Sequence, residues 1–156
     1  MTVYELISQF NIDRPNQIKE ETMERWLKDL EIMVVQDVIL KHCPLPKKLS
    51  ELLDKQEREK EPDGVIHIGV KKPPKFDIDE YFSHWDSSSE LLIESPYTQV
   101  YMDYLDMKTA WSNNETQRYN AASAMFNGSY LAFQQYYNRT FKPIGAQPVF
   151  IDHTRL

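Results

Sequence analysis

The feature that most constrains the fold is a long run of aromatic and small residues near the C-terminal end, spaced three or four apart. Six positions define the stripe: Tyr119, Ala122, Phe126, Tyr130, Phe133 and Tyr137. This spacing places them on one face of an α-helix. Such a helix would have about 25 residues and be about 37 Å long. Four more positions, Ala121, Met125, Ala132 and Tyr136, widen the apolar surface.

A second helix is predicted just before this one. Ser95 suits an N-cap and Pro96 the first helical position. One face would carry Tyr97, Tyr101, Tyr104, Leu105, Lys108 and Trp111. The polar run 112–114 is expected to end this helix, with Asn114 capping the next one. The stretch 95–140 is therefore predicted to form an antiparallel helical hairpin.

Two further helices are predicted in the N-terminal part. Residues 2–10 carry apolar side chains on one face, and Thr2 and Glu5 have capping-box spacing. Residues 19–42 carry a longer apolar stripe, Met23, Trp26, Leu27, Leu30, Met33, Val34 and Val38. Pro44 prevents continuation of that helix. The fold class is thus all-α or mostly α, a helical bundle built on the long hairpin.

The middle of the chain has a weaker pattern. Residues 47–60 suit a helix with a solvated end, and a flexible charged linker remains an alternative. Residues 65–70 have strand composition, and a short β segment there is left open. We treat 44–94 as an irregular loop insertion in one domain, 1–143. Its last part is acidic and carries no Lys or Arg, and it is expected to face a channel or a partner through Asp77, Asp79, Glu80, Asp86 and Glu90.

The segment after the hairpin has the composition of a docking arm. It contains Gly, two prolines and a short apolar run, too apolar for a plain disordered tail and too short to pack as an element. We expect residues 144–156 to form an extended C-terminal arm. The residues expected to dock are Phe141, Pro143, Ile144, Val149, Phe150 and Ile151.

Composition excludes several classes of function. The net charge of −6 argues against a protein that grips nucleic acid through phosphate contacts. There is no apolar run long enough for a membrane span and no signal-peptide pattern. A lone cysteine and four scattered histidines give no zinc spacing. No nucleophile or phosphate-loop motif is present. We therefore expect no catalytic, cofactor or metal site.

The tyrosine content of the hairpin bears on its environment. Seven tyrosines lie between positions 97 and 137. An aromatic stripe is most often core, but a tyrosine hydroxyl needs a partner and suits a half-buried or interfacial position. The predicted core and subunit-interface residues are Tyr97, Tyr101, Tyr104, Trp111, Tyr119, Phe126, Tyr130, Phe133 and Tyr137.

Several short motifs of the hairpin occur in an order that resembles a known family. They are LLIESPY at 91–97, YMDYL at 101–105, NETQRYN at 114–120, MFN at 125–127 and YYNRT at 136–140. Together with Arg25-Trp26-Leu27 they are similar to the head–tail connector (adaptor) proteins of tailed bacteriophages, siphophage type. The resemblance covers roughly 2–42 and 90–143. Ser95 replaces the family's acid before proline, and 112–114 replaces its Asn-Gly turn.

The resemblance implies a structural virion protein of the neck, between capsid and tail, assembled in the host cytoplasm. About twelve copies would form a ring beneath the portal, extend the DNA channel and carry the stopper or tail-completion protein. The C-terminal arm would embrace the portal, and DNA would pass without specific binding. The alternative from the residues alone is a small helical protein–protein interaction module with no virion role.

Overall fold

The computed structural model describes residues 1–43, 45, 49–51 and 77–143. The described chain is mostly α-helical, which confirms the predicted fold class. The predicted strand at 65–70, most of the helix or linker at 47–60 and the arm at 144–156 lie outside these residues.

The first helix, α1 (Val3–Asp13), forms as its sequence pattern predicts. The Thr2 hydroxyl accepts a hydrogen bond from the Glu5 N–H, and the Glu5 carboxylate accepts one from the Thr2 N–H. This capping box satisfies amide groups that have no partner inside the helix. The buried residues are the four apolar positions of the predicted face, Val3, Leu6, Ile7 and Phe10.

The second helix, α2 (Glu20–Asp37), ends earlier than predicted. A 3₁₀ turn, Ile39–Lys41, and a two-residue strand, β1 (His42–Cys43), follow it instead of continued helix. The residue before a proline is driven out of the helical region, so Cys43 before Pro44 favours extended backbone. β1 then pairs antiparallel with β2 (Lys142–Pro143), a contact that the local helical period could not indicate.

The acidic segment that precedes the hairpin packs on the body. It forms a short helix, α3 (Ile78–Ser83), with Asp77 as its N-cap. Further along, the Val3 and Tyr4 N–H groups donate to the carbonyls of Ser89 and Ser87, at 3.0 and 2.9 Å. Only part of the predicted loop 44–94 is described, and that part is held against α1.

The hairpin consists of α4 (Gln99–Ser112) and α5 (Thr116–Thr140). The prediction that Ser95 caps α4 is wrong, because residues 95–98 form a turn and the helix begins at Gln99. The backbone of Leu92 and Ile93 is already hydrogen-bonded to buried side chains. Residues 95–98 therefore turn the chain from that contact into α4.

The link between α4 and α5 also differs from the prediction. Asn114 does not cap α5; it adopts a left-handed φ of 57° after the end of α4. Its N–H donates to the Trp111 carbonyl at 3.1 Å, and the Glu115 N–H donates to the Ala110 carbonyl at 2.9 Å. This is a Schellman motif, in which asparagine tolerates the left-handed position usually taken by glycine.

Helix α4 is the centre of the fold. Seven of its residues are buried, Val100, Tyr101, Asp103, Leu105, Asp106, Thr109 and Ala110. It contacts α1, α2 and, most extensively, α5. The core therefore lies around α4, and α1 and α5 each keep an outward face directed away from it.

Candidate interaction surfaces

A row of aromatic side chains, which we call the aromatic seam, packs along the hairpin. It contains most of the residues predicted to form the core and the subunit interface. Tyr104 lies 5.2 Å from Phe126 between ring centroids, and Tyr97 lies 6.2 Å from Phe133. At the far end of α5, Tyr137 stacks on Phe141 at 4.3 Å. Offset and edge-on rings of this kind contribute about 0.5–1.5 kcal/mol per pair beyond burial.

The predicted aromatic set divides into three groups by exposure. Four members are buried: Tyr101, Phe126, Phe133 and Tyr137. Four others are half-buried along the seam: Tyr97, Tyr104, Tyr119 and Tyr130. Trp111 is 66% exposed, so it does not join the buried face that its spacing indicated. It lies at the hairpin turn against Tyr119, with 5.3 Å between ring centroids.

The outward face of α5 carries apolar side chains that contribute little to the core. Met125 is 63% exposed and Leu131 is 52% exposed, while Tyr136 is 36% exposed and stacks on Tyr97 at 4.7 Å between ring centroids. A Cβ added at Gly128 would meet no atom within 4 Å, so the backbone is open there. Sequence reasoning identified Met125 and Tyr136 as a widened stripe but missed Leu131. We call this surface the α5 outer face, comprising Met125, Gly128, Leu131, Ala132 and Tyr136.

A second exposed apolar surface lies on α1. Tyr4 is 61% exposed and Ile12 is 74% exposed. They are eight residues apart, so they lie on the same side of the helix, opposite its buried positions. No sequence inference assigned them a role. We call this surface the α1 outer face, comprising Tyr4 and Ile12.

Acidic side chains lie on α1 and in the segment that pairs with its start. α1 has two acids and no Lys or Arg. The neighbouring segment carries the predicted acidic residues Asp77, Asp79, Glu80, Asp86 and Glu90, and all five are exposed. An isolated bridge between Thr2 and Glu90 places Glu90 at the start of α1.

A buried carboxyl joins α2, α4 and the segment between them. Glu31 is fully buried. It accepts hydrogen bonds from the Tyr101 hydroxyl and from the Leu92 N–H, the latter at 3.3 Å to each oxygen. The Tyr101 oxygen in turn accepts from the Ile93 N–H at 2.8 Å. Burial raises the pKa of Glu31 to about 7, and its hydrogen bonds oppose part of that rise.

The sequence analysis missed Glu31 because it is charged and interrupts an apolar stripe. A usable signal exists, since Glu31 is four residues after Leu27 and three before Val34 on the buried face of α2. A lone acid at such a position needs hydrogen-bond donors in the folded protein.

A second charged cluster connects the end of α1 and the start of α5 to α4. Asp106 is largely buried and pairs with Arg14, just after α1. It also pairs with Arg118 of α5, at 2.6 Å between Nη2 and Oδ1. Arg118 contacts Glu115 as well, at 3.1 Å. These bonds hold the end of α1 and the start of α5 against the middle of α4.

The other end of the bundle holds the paired strands β1 and β2. His42 Nδ1 lies 2.7 Å from the Val38 carbonyl, so it donates there. Its Nε2 lies 2.8 Å from the Asn138 side chain. The end of α2 and the end of α5 are thus connected. Of the predicted arm, Phe141 packs on Tyr137 and Pro143 belongs to β2.

Two negative findings apply to the described ranges 1–43, 45, 49–51 and 77–143. No three His, Cys, Asp or Glu side chains are grouped there so as to hold a metal ion. None of the helices in those ranges is long and apolar enough to cross a membrane. The described residues leave apolar side chains of α1 and α5 exposed.

Comparison with protein-family models, with curated proteins and with solved structures found no match to this chain.

Proposed function

We propose that this protein is a structural head–tail connector of a tailed bacteriophage. It would form a ring beneath the portal and provide the platform for the stopper or tail. The motif order in the hairpin motivates the proposal, and the arrangement of the helical body supports it. The competing proposal is a small helical interaction module without a virion role.

The observation that carries the proposal is the pairing of β1 with β2. Cys43 precedes the segment 44–76, and Pro143 precedes the segment 144–156. Because His42 pairs with Pro143 and Cys43 with Lys142, the residues before these two segments lie side by side at one end of the body. The expected docking arm therefore starts from a fixed point of the helical body, which supports the proposal.

The charge distribution supports a role in which the protein lies around DNA without binding it. Five acidic side chains between 77 and 90 are exposed, and the whole chain carries a charge of −6. Phosphate groups are repelled by such a surface, so DNA would slide past it.

The test is a truncation at the end of the described chain. Removing residues 144–156 leaves β2, Phe141 and the aromatic seam in place. We expect helical circular dichroism to be unchanged and binding to assembled portal protein to be lost. A full-length variant with Phe150→Asp and Ile151→Asp serves as the matched control for length, and it should lose binding as well.

Three outcomes would contradict the proposal. If the full-length chain fails to bind assembled portal from the same phage, the connector role is wrong and the interaction module becomes the better interpretation. If the truncated chain binds portal as tightly as the full-length chain, the arm is not the docking element. Loss of helical dichroism on truncation would show that the segment belongs to the core.

A further inference from the structure

We propose that residues 86–93 form a strap that detaches from the helical body when the Glu31 carboxyl loses its proton. The inference concerns the single protomer and is independent of the connector role. It rests on the bonds that hold the strap and on the burial of the carboxyl to which its backbone is bonded.

The first part of the strap is held by the residues at the start of α1. The Val3 N–H donates to the Ser89 carbonyl at 3.0 Å, and the Leu91 N–H donates to the Met1 carbonyl at 3.1 Å. These bonds join two short extended pieces of backbone and do not continue into a sheet. The attachment of the strap therefore also depends on the contacts of its last part.

The last part of the strap is bonded to two buried side chains of the body. The Leu92 N–H donates to the Glu31 carboxylate of α2. The Ile93 N–H donates to the Tyr101 oxygen of α4, and the Tyr101 hydroxyl donates in turn to Glu31. Two adjacent strap N–H groups therefore depend on one pair of side chains, and a change in the charge of Glu31 acts on both.

Glu31 is the member of this network that changes charge near neutral pH. Burial and the Glu31 charge raise the pKa of Tyr101 well above its ordinary value. On α3, burial and the Glu31 charge raise the pKa of Tyr81 to about 12. Both tyrosines therefore stay neutral near pH 7. The ionisable side chains of α1 are exposed: Tyr4, Glu5 and Asp13.

No cation offsets the negative charge of Glu31 within the part of the chain that the structure describes. Lys28 lies one turn earlier on α2 and is half-buried, but it forms no ion pair with Glu31. A buried carboxylate held only by hydrogen bonds is costly. The hydrogen bonds from Tyr101 and Leu92 reduce that cost, yet burial is the larger effect on the pKa of Glu31.

The direction of the switch follows from the two environments of Glu31. With the strap attached, burial raises the pKa of Glu31 to about 7. When the strap leaves, water reaches the carboxylate and its pKa returns toward 4.5. The raised pKa therefore favours attachment fully below pH 4.5, and this contribution is lost as pH rises through about 7.

The helical body does not need the strap to remain packed. α4 contacts α1, α2 and α5 directly. Detachment of residues 86–93 leaves those contacts in place and exposes little surface. Local openings of this kind require less free energy than global unfolding.

The experiment is amide hydrogen exchange of the full chain, followed by NMR between about pH 5 and about pH 8 and corrected for the intrinsic exchange rate. The reporters of the strap are the N–H groups of Val3, Leu92 and Ile93, and the N–H of Phe126 reports the core. The two pKa values of Glu31 predict that the opening constant of the strap rises roughly 70-fold over this range. An opening constant that does not change with pH would overturn the proposal.

Low concentrations of urea separate local opening from global unfolding. The strap N–H groups should be less protected than that of Phe126, and their exchange should be almost independent of urea because little surface is exposed. Equal protection and equal urea dependence at the two places would show that the strap leaves only when the whole chain unfolds, and this would overturn the proposal.

Two variants connect the pH dependence to Glu31. Glu31→Gln should reduce the change in the opening constant to less than about threefold, because no group of the network then titrates. Glu21→Gln, at an exposed carboxyl of the same helix, should keep the full change. His84 is present in every variant, so the comparison cancels its contribution. A full change in Glu31→Gln would overturn the proposal.

A second measurement needs no variant. Carbon-13 NMR of the Glu31 side-chain carboxyl in the wild-type chain should show a titration midpoint of about 7. A midpoint near the ordinary value of 4.5 would overturn the proposal, whether or not Glu31→Gln folds.

Discussion

Replacing the buried Glu31 with Gln should remove a specific part of the pH dependence of folding. Glu31 has no exposed surface, and its pKa is raised from 4.5 to about 7 by burial. A carboxyl with a raised pKa binds its proton more tightly in the folded state than in the unfolded state. Its favourable contribution is therefore fully present below pH 4.5 and is lost as pH rises through about 7.

The size of the effect follows from the two pKa values. Each pH unit between them corresponds to about 1.4 kcal/mol, so the complete change is about 3 kcal/mol for a shift from 4.5 to about 7. Between about pH 5 and about pH 8, wild-type protein should lose about 2–3 kcal/mol of unfolding free energy through this group alone. Glu31→Gln has no titrating group there and should not show that part of the loss.

The assay is urea unfolding followed by helical circular dichroism at several pH values, with the variant profile subtracted from the wild-type profile. The subtraction removes titrations that both proteins share. Glu21→Gln is the matched control, because Glu21 is an exposed carboxyl on the same helix. Its profile should parallel that of wild type. A difference between Glu31→Gln and wild type that stays constant within about 0.5 kcal/mol over this range would refute the reasoning.

Three other substitutions test the remaining contacts by the same unfolding measurement. Tyr101→Phe removes the hydroxyl that donates to Glu31 and leaves the Ile93 N–H unpaired, so the free energy of unfolding should fall by about 2–4 kcal/mol. The loss should be larger near pH 8 than near pH 5. An equal loss at both pH values would contradict this. Asp106→Asn removes both arginine ion pairs of the Asp106 carboxylate and should cost about 1 kcal/mol, because the arginines are partly exposed. The cost should shrink in high salt, and a salt-independent loss would point to packing. Asn114→Gly should be neutral or stabilise the protein by up to about 1 kcal/mol, since glycine adopts a φ of 57° without strain. Asn114→Ala should destabilise the protein. If the alanine variant were more stable than the glycine variant, the left-handed turn would be excluded.

The local sequence pattern was sufficient to predict that the helices exist. The capping box at Thr2 and the four apolar positions of α1 follow from spacing alone, because a helix places residues three and four apart on one side. The long aromatic helix was predictable for the same reason. Its buried members Phe126, Phe133 and Tyr137 are those of the predicted stripe.

Helix ends were less predictable, because contacts distant in sequence decide them. α2 stops at Asp37 because the following residues pair with a strand about a hundred positions later. Ser95 has the chemistry of a cap, but the backbone before it is held by Glu31 and Tyr101, so α4 starts later. Asn114 suits both a cap and a left-handed turn, and the Schellman bonds of α4 select the turn.

By itself the sequence determined the fold class, the order of the helices and most of the side chains of the aromatic seam. Only the tertiary structure decided which apolar stripe is used inside the protein. Both sides of α5 have helical periodicity, but α4 covers one of them and leaves Met125 and Leu131 exposed. The same holds for Glu31, whose charge predicts exposure until the surrounding donors from Tyr101 and Leu92 are known. Periodicity reports which residues share a face, and only the packed neighbours determine whether that face is core or is left for a partner.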